Sequence, residues 1–403
     1  MALTDFREAF DNAYQEIFQK TLVAKEIMNT RFEPTLKYGE SVERVIGDIS
    51  SVQVRTVTRG SASTIDSITD STELLTINLE KEAAWHLSDG EETQAGPMNP
   101  GEFFGGQIAL KVALDLDGRC FAEVLNAAFD FDTGDLTTLA STGTPITLNS
   151  TTVPQMVTRM PAKLRYRNNQ LVNSNMVLVV DSYAASDISQ YLLGKNIDLA
   201  EYVFKNGYTG DVSTAKMYIS EKLTGEAVLS LATNVTADDT ITILGVALTA
   251  KATPANPGEF DVAGSADATR AIIANAINGS ATGQNSATGY FEVSAANRAI
   301  WTNAGLVAVN DDTANTLTVT GTGSGRLTVA ETLTDGTDTW TKNYIHAYFG
   351  KRGAIDLVVQ DMKPVDMRPT ADRRGTNIFS SYLAGIKTFA DGSKKFLDLH
   401  IAA

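Results

Sequence analysis

The residues of this chain best suited to chemistry are three histidines (His86, His346 and His400) and one cysteine, Cys120. The histidines lie far apart in sequence, and no HExxH, CxxC or GxSxG pattern is present, so neither a zinc site nor an elbow-type nucleophile has support. Cys120 falls within a helical pattern and reads as a buried apolar residue. The run Gly321-Thr322-Gly323-Ser324-Gly325 lacks the following helix and lysine that a phosphate cradle requires, and reads as a hairpin turn between two strands. Asp130, Asp132 and Asp135 carry oxygen ligands, but neither the spacing nor the distal glutamate of a calcium loop. They read as solvated acids beyond a helix end. No catalytic, cofactor-binding or metal residue is assigned, no cofactor is implied, and enzymatic activity has no positive support.

Size and charge narrow the field further. At 403 residues the chain suits two domains, and 43% hydrophobic content supports real cores. A net charge of −15 disfavours salt-dependent binding to nucleic acid, and suits a protein that coexists with a polyanion without adhering to it. A single cysteine excludes an internal disulfide. No signal-peptide pattern opens the sequence, and no apolar run approaches the ~20 residues of a membrane span. Synthesis in a reducing cytoplasm is expected.

Several elements follow from periodicity. Thr4 caps an amphipathic helix in which Phe6, Phe10, Ala13, Tyr14 and Ile17 share a face. Residues 41–79 are β-rich and of low complexity, with strands expected around Val52–Val57 and residues 74–79. The strongest helix spans residues 103–128, with Phe103, Ile108, Val112, Leu116, Cys120, Val124 and Ala128 at helical spacing and Gly118 as a point of bending. A helix led by Pro154 should end or kink at Pro161. Residues 176–180 form a wholly apolar strand, residues 186–193 and 199–205 short helices, Met217 a strand, residues 353–360 a helix, residues 368–375 a charged loop, and residues 396–401 a last strand.

Residues 224–340 differ from everything around them. Their only basic residues are Lys251, Arg270, Arg298 and Arg326, and Ala, Thr, Gly and Asn dominate. Residues 239–243 and 246–249 flank Leu244-Gly245 as a hairpin; Asp267 caps a helix that Gly279 stops; strands are expected at residues 290–293, 317–320 and 327–329. This is a small α+β module inserted between host strands at Met217 and Tyr344–Phe349.

Outside the module, the order of elements resembles the major capsid protein of tailed bacteriophages, the HK97-like fold. The helix over residues 4–20 is similar to the N-arm. Residues 41–79, continuing into Trp85-His86-Leu87-Ser88-Asp89, resemble the extended E-loop and its return strand. Residues 103–128 resemble the spine helix. Residues 353–360 resemble a helix late in such chains, and Tyr382-Leu383-Ala384-Gly385-Ile386-Lys387-Thr388-Phe389 their C-terminal strand. The module resembles small domains inserted into phage structural proteins. The implied fold class is α+β. The implied organisation is an N-terminal arm (1–40), E-loop and return strand (41–90), peripheral domain with spine helix (91–151), first part of the axial domain (152–223), inserted domain (224–340), and a return to the peripheral and axial domains (341–403).

The resemblance implies an icosahedral head shell of hexamers and pentamers around double-stranded DNA, held without sequence-specific contact and without a membrane. A scaffolding protein during assembly, a portal at one vertex, decoration or cement proteins, and a virion location after assembly in the host cytoplasm are implied with it. Some relatives seal the lattice with a Lys–Asn isopeptide bond from an E-loop lysine, but there is no lysine here between Lys37 and Lys81. Covalent cross-linking and N-terminal cleavage are therefore expected to be absent. Two other readings are an encapsulin-like compartment shell and a secreted adhesin or glycan-binding protein. Missing signal-peptide character counts against the second.

Overall fold

The computed structural model describes residues 12–14, 22–32, 40–48, 52–56, 59–60, 65–66, 69–88, 100–167, 175–193, 208–212, 215–334, 338–369 and 374–403. Nearly all of the expected N-terminal helix, the expected helix at 199–205 and part of the charged loop at 368–375 lie outside these residues. The chain forms two compact units: residues 1–21, 25–112 and 353–394 make one, and residues 22–24, 113–352 and 395–403 the other. Both mix helix and strand, giving an α+β protein.

In the first unit, β1 (Ser41–Asp48) and β2 (Thr69–Thr76) pair antiparallel as an isolated ribbon. Two-stranded ribbons are marginal alone, and among the described residues this one is anchored at its base. There Leu75 is buried with Val358 and Phe389, with Val42 against them, and the Arg44 guanidinium lies 2.6 Å from Asp391. Further along, Val45, Val52, Val54 and Ile65 are exposed. Residues 52–56 are not strand: Asp66 holds this stretch by accepting from Gln53 N at 2.9 Å and pairing with Arg55 at 2.6 Å. The return strand β3 (Leu79–Leu87) pairs with β17 (Thr376–Lys387), which in turn pairs with β16 (Asp356–Pro369).

That sheet corrects one expectation. Residues 353–355 form a turn and residues 356–360 open β16, so this stretch is not a helix. Leu357-Val358-Val359 is a β-branched-rich apolar run, too short to distinguish helix from strand by period. Pairing with Ile386, Gly385 and Ala384 decides it.

Helix α1 is the short Val23–Ile27. Helix α2 (Pro100–Ala122) follows β3, then tightens into a 3-10 turn at Glu123–Asn126 and does not continue to residue 128. Gly118 does not serve as a hinge but as a close contact: a Cβ placed there would lie 2.9 Å from the Gly323 Cα. After β4 (Asp130–Phe131), helix α3 (Thr152–Arg167) runs through Pro161 without ending. The apolar strand β5 (Met176–Val180) is wholly buried, as expected, and α4 (Ser182–Leu193) follows it.

The second unit is built on a nine-stranded sheet. Besides β4 and β5 it contains β6 (Tyr208–Val212), β7 (Ala215–Ile219), β8 (Thr224–Ser230), β12 (Leu306–Asp311), β13 (Thr316–Gly321), β15 (Thr339–Lys351) and β18 (Phe396–Ala402). The order is β12-β13-β8-β15-β5-β7-β6, which β18 and β4 extend from β15. The region 224–340 therefore shares a sheet with its flanks. It still has a core of its own. A second sheet joins β11 (Glu259–Asp261), β10 (Val246–Lys251), β9 (Thr240–Ile243) and β14 (Val329–Thr332), in that order. Ile241, Ile243, Leu248 and Phe260 from this sheet meet Leu229, Leu317 and Val319 from the first, Ile273 and Ile277 from α5 (Ala266–Asn278), and Trp301 from α6 (Ala295–Asn303).

Local chemistry explains the module's elements. Leu244 and Gly245 both adopt positive φ (52° and 77°), the backbone a two-residue hairpin between β9 and β10 needs. Ser265, not Asp267, caps α5, and Gly279 stops it in the left-handed region. Residues 290–293 make only isolated bridges through Tyr290, while α6 and β12 have no counterpart among the expected elements. The glycine run 321–325 is a crossing between sheets and not a hairpin, because β13 pairs with β12 and β8 whereas β14 pairs with β9.

Candidate functional site

The only grouping of metal-ligand residues among those described forms where β8, β15 and β18 meet. Tyr344 pairs with Glu226 on one edge of β15 and with Ala402 on the other, so β8 and β18 flank it. His346 lies directly opposite His400, and side chains alternate with period two. Tyr344, His346, His400, Asp398 and Glu226 consequently share one face. Two of the three histidines become neighbours, with ring centroids 5.2 Å apart, and the Tyr344 ring lies 5.0 Å from His346 and 4.8 Å from His400. His86 lies elsewhere, its Nδ1 2.9 Å from Asn377 Oδ1.

His346 stands between two carboxylates. Its Nδ1 is 2.7 Å from Asp398 Oδ2, and its Nε2 is 3.5 Å from Glu226 Oε2. Burial favours the neutral ring, but Asp398 and Glu226 together outweigh it and hold the imidazole up to about 9. Burial likewise opposes charge on Asp398 and Glu226, and both are nonetheless pulled below the ordinary carboxylate range, Asp398 by His346 and His400, Glu226 by His346 and Tyr344. Tyr344 donates its hydroxyl proton to Glu226. Asp130, paired with Asp398 across β4 and β18, stays exposed overall, but partial desolvation of its carboxyl raises it. In this form the cluster is an ionic brace joining the first strand of the 224–340 region, the strand that leaves it, and the C-terminal strand.

A second polar network corrects the reading of the acidic run. Asp132 and Asp135 are fully buried, not solvated. Asp132 accepts from Gly134 N (2.8 Å), Thr142 N (2.7 Å) and Gly143 N, while Asp135 accepts from Asp132 N and meets Lys163 Nζ at 2.6 Å. The amine of Lys163 also donates to Asp130 O and to Ser141 Oγ, so every charge here has a partner. These carboxylates order a loop. Cys120 is buried as expected, and burial raises its thiol well above the ordinary range.

Residues 321–325 cross from β13 towards β14. Arg326, next in the chain, donates to Asp181, which caps α4 through Ala184 N at 3.0 Å, and to Ala402 O at 3.0 Å. Sequence reasoning could see that His400 and Asp398 share a strand face. It could not see that His346 and Glu226 join them, because pairing over such separations leaves no local signal.

No family model matches the chain, and no curated protein is significantly similar to it. Among solved structures, one from Mycobacterium phage Che8 is similar at 13% identity and a TM-score of 0.49, over 94% of this chain and 90% of that one. The capsid of the cyanophage P-SCSP1u is similar at 12% identity and a TM-score of 0.45, over 90% and 84%. A virus-like particle from Pyrococcus furiosus is similar at 10% identity and a TM-score of 0.41, over 97% and 98%. At TM-scores below 0.5 these similarities do not by themselves define a shared fold.

Proposed function

We propose that the chain is the major capsid protein of a tailed bacteriophage, with an HK97-like fold, acting mechanically and not as an enzyme. The observation that carries this reading is the β1–β2 ribbon, anchored at its base and exposing Val45, Val52, Val54 and Ile65 beyond it. A ribbon of this kind cannot be stable on its own hydrogen bonds, and a shell of identical subunits supplies the missing surface on a neighbour. The order around it supports the same reading: ribbon, return strand β3, the long helix α2, then a buried sheet carrying an inserted module and closed by β18.

Copies of the chain would form hexamers and pentamers, with a scaffolding protein during assembly, a portal at one vertex, and DNA enclosed without specific contact. Decoration proteins would bind from outside. The shell would be held without covalent links, since no lysine lies between Lys37 and Lys81. Negative-stain microscopy and sedimentation of the expressed chain, alone and with its scaffold, test the proposal. Closed shells or capsomers are expected; persistent monomers under both conditions would overturn it. DNA-free shells carrying a packaged enzyme would instead favour a compartment of the encapsulin kind.

A further inference from the structure

We propose that His346, through Nδ1, His400 and Asp398 bind a divalent first-row transition ion of the zinc class within the sheet of the second unit, with Glu226 beside the opposite ring nitrogen of His346. One ligand atom from each of the first three residues lies within 4.8 Å of the others. Tetrahedral zinc with nitrogen and oxygen ligands at ~2.0–2.1 Å needs donors ~3.3 Å apart, and His400 Nε2 already lies 3.3 Å from Asp398 Oδ2. Glu226 Oε2, 3.5 Å from His346 Nε2 on the far side of the ring from Asp398, is an outer carboxylate that orients the ring.

A second observation points the same way. Asp398 is 3% exposed and His400 8%, yet Asp398 Oδ1 and His400 Nδ1 have no hydrogen-bond partner. Buried polar atoms without partners are costly, so the protein alone does not meet all the polar groups of this cluster. Charge also balances: two carboxylates and two neutral imidazoles match one divalent ion. His346 gives up its proton to solvent when the ion enters. Imidazole with carboxylate suits zinc, nickel and copper better than calcium or magnesium. The ligands come from β15 and β18, so the ion would cross-link the strand that leaves the 224–340 region to the C-terminal strand.

The test uses the full chain, stripped with chelator, then loaded with Zn²⁺ or Co²⁺ and passed through gel filtration. Retention of one ion per chain is expected, with an intense tetrahedral cobalt spectrum. Zinc should raise the unfolding midpoint by about 3 °C or more at ~100-fold excess over Kd. His400→Asn should lose all three effects, whereas His86→Asn should keep them. Should His400→Asn not fold, proton NMR of the cobalt-loaded wild-type chain decides, with paramagnetically shifted imidazole N–H signals expected. A wild-type chain that retains no ion, an octahedral cobalt spectrum, retention in folded His400→Asn, or no shifted imidazole signal would each overturn the proposal.

Discussion

Asp117 shows how much a single buried carboxylate costs and stabilises at once. It lies on α2, 1% exposed, and accepts from Val23 N at 3.1 Å and Ala24 N at 2.8 Å. Burial pushes it up, the two backbone bonds oppose this, and the balance stands at about 7, against 3.8 for an ordinary aspartate. The folded state therefore holds a proton that the unfolded state releases between these values. Stability should fall as pH rises through that window and level off above about 7, by an amount on the order of a few kcal/mol. Urea midpoints at pH 5 and pH 8 measure it, and Asp117→Asn should flatten the difference. The sparse cations of residues 224–340 are all engaged in holding the fold. Lys251 meets Asp238, Arg270 is fully buried against Asn310 and Leu231 O, Arg298 donates to the Ala276 and Ile277 carbonyls, and Arg326 holds Asp181. Arg298→Ala should cost roughly 1.5–3 kcal/mol, because it removes charge-assisted bonds at the end of α5. Thermal unfolding of the full chain reads this.

Among elements, the crossing of α2 with the loop after β13 depends on two glycines in contact. Gly118→Ala gains about 1 kcal/mol of helix propensity but forces a methyl against the Gly323 backbone, where overpacking costs ~1–3 kcal/mol. A net loss is expected in denaturant unfolding, and an unchanged or higher midpoint would refute this contact as limiting. The edge strand β12 is closed by a side chain: the Asn278 amide accepts from Ala308 N and donates to Ala308 O, both at 2.8 Å. Asn278→Leu should leave that edge open and raise aggregation in light scattering. Deleting residues 224–340 removes β8, which pairs with residues from Thr339 to His346. The shortened chain should therefore fail to give a cooperative unfolding transition, even though the region is compositionally distinct.

For the molecule as a whole, the prediction concerns covalent sealing. Particles boiled in SDS should release a single monomer band, and a ladder of multimers would show cross-linking from a lysine outside residues 38–80. Among the described residues no helix is long and apolar enough to cross a membrane.

What the sequence settled by itself was local. The wholly apolar 176–180 strand, the Leu244-Gly245 hairpin, the glycine stop of α5 and the buried Cys120 each follow from period or backbone chemistry within a few residues. The compositional break at residues 224–340 was legible too, and it coincides with a separate hydrophobic core. What the sequence left open depended on partners far along the chain. Val358 is strand because β17 pairs with it, Asp132 and Asp135 are buried because the Thr142–Gly143 amides and Lys163 fold over them, and Gly118 is needed because Gly323 arrives there. The histidine cluster is the clearest case. His346, His400, Asp398 and Glu226 are ordinary strand residues until β8 and β18 settle on opposite edges of β15, and only that register gives them a shared face.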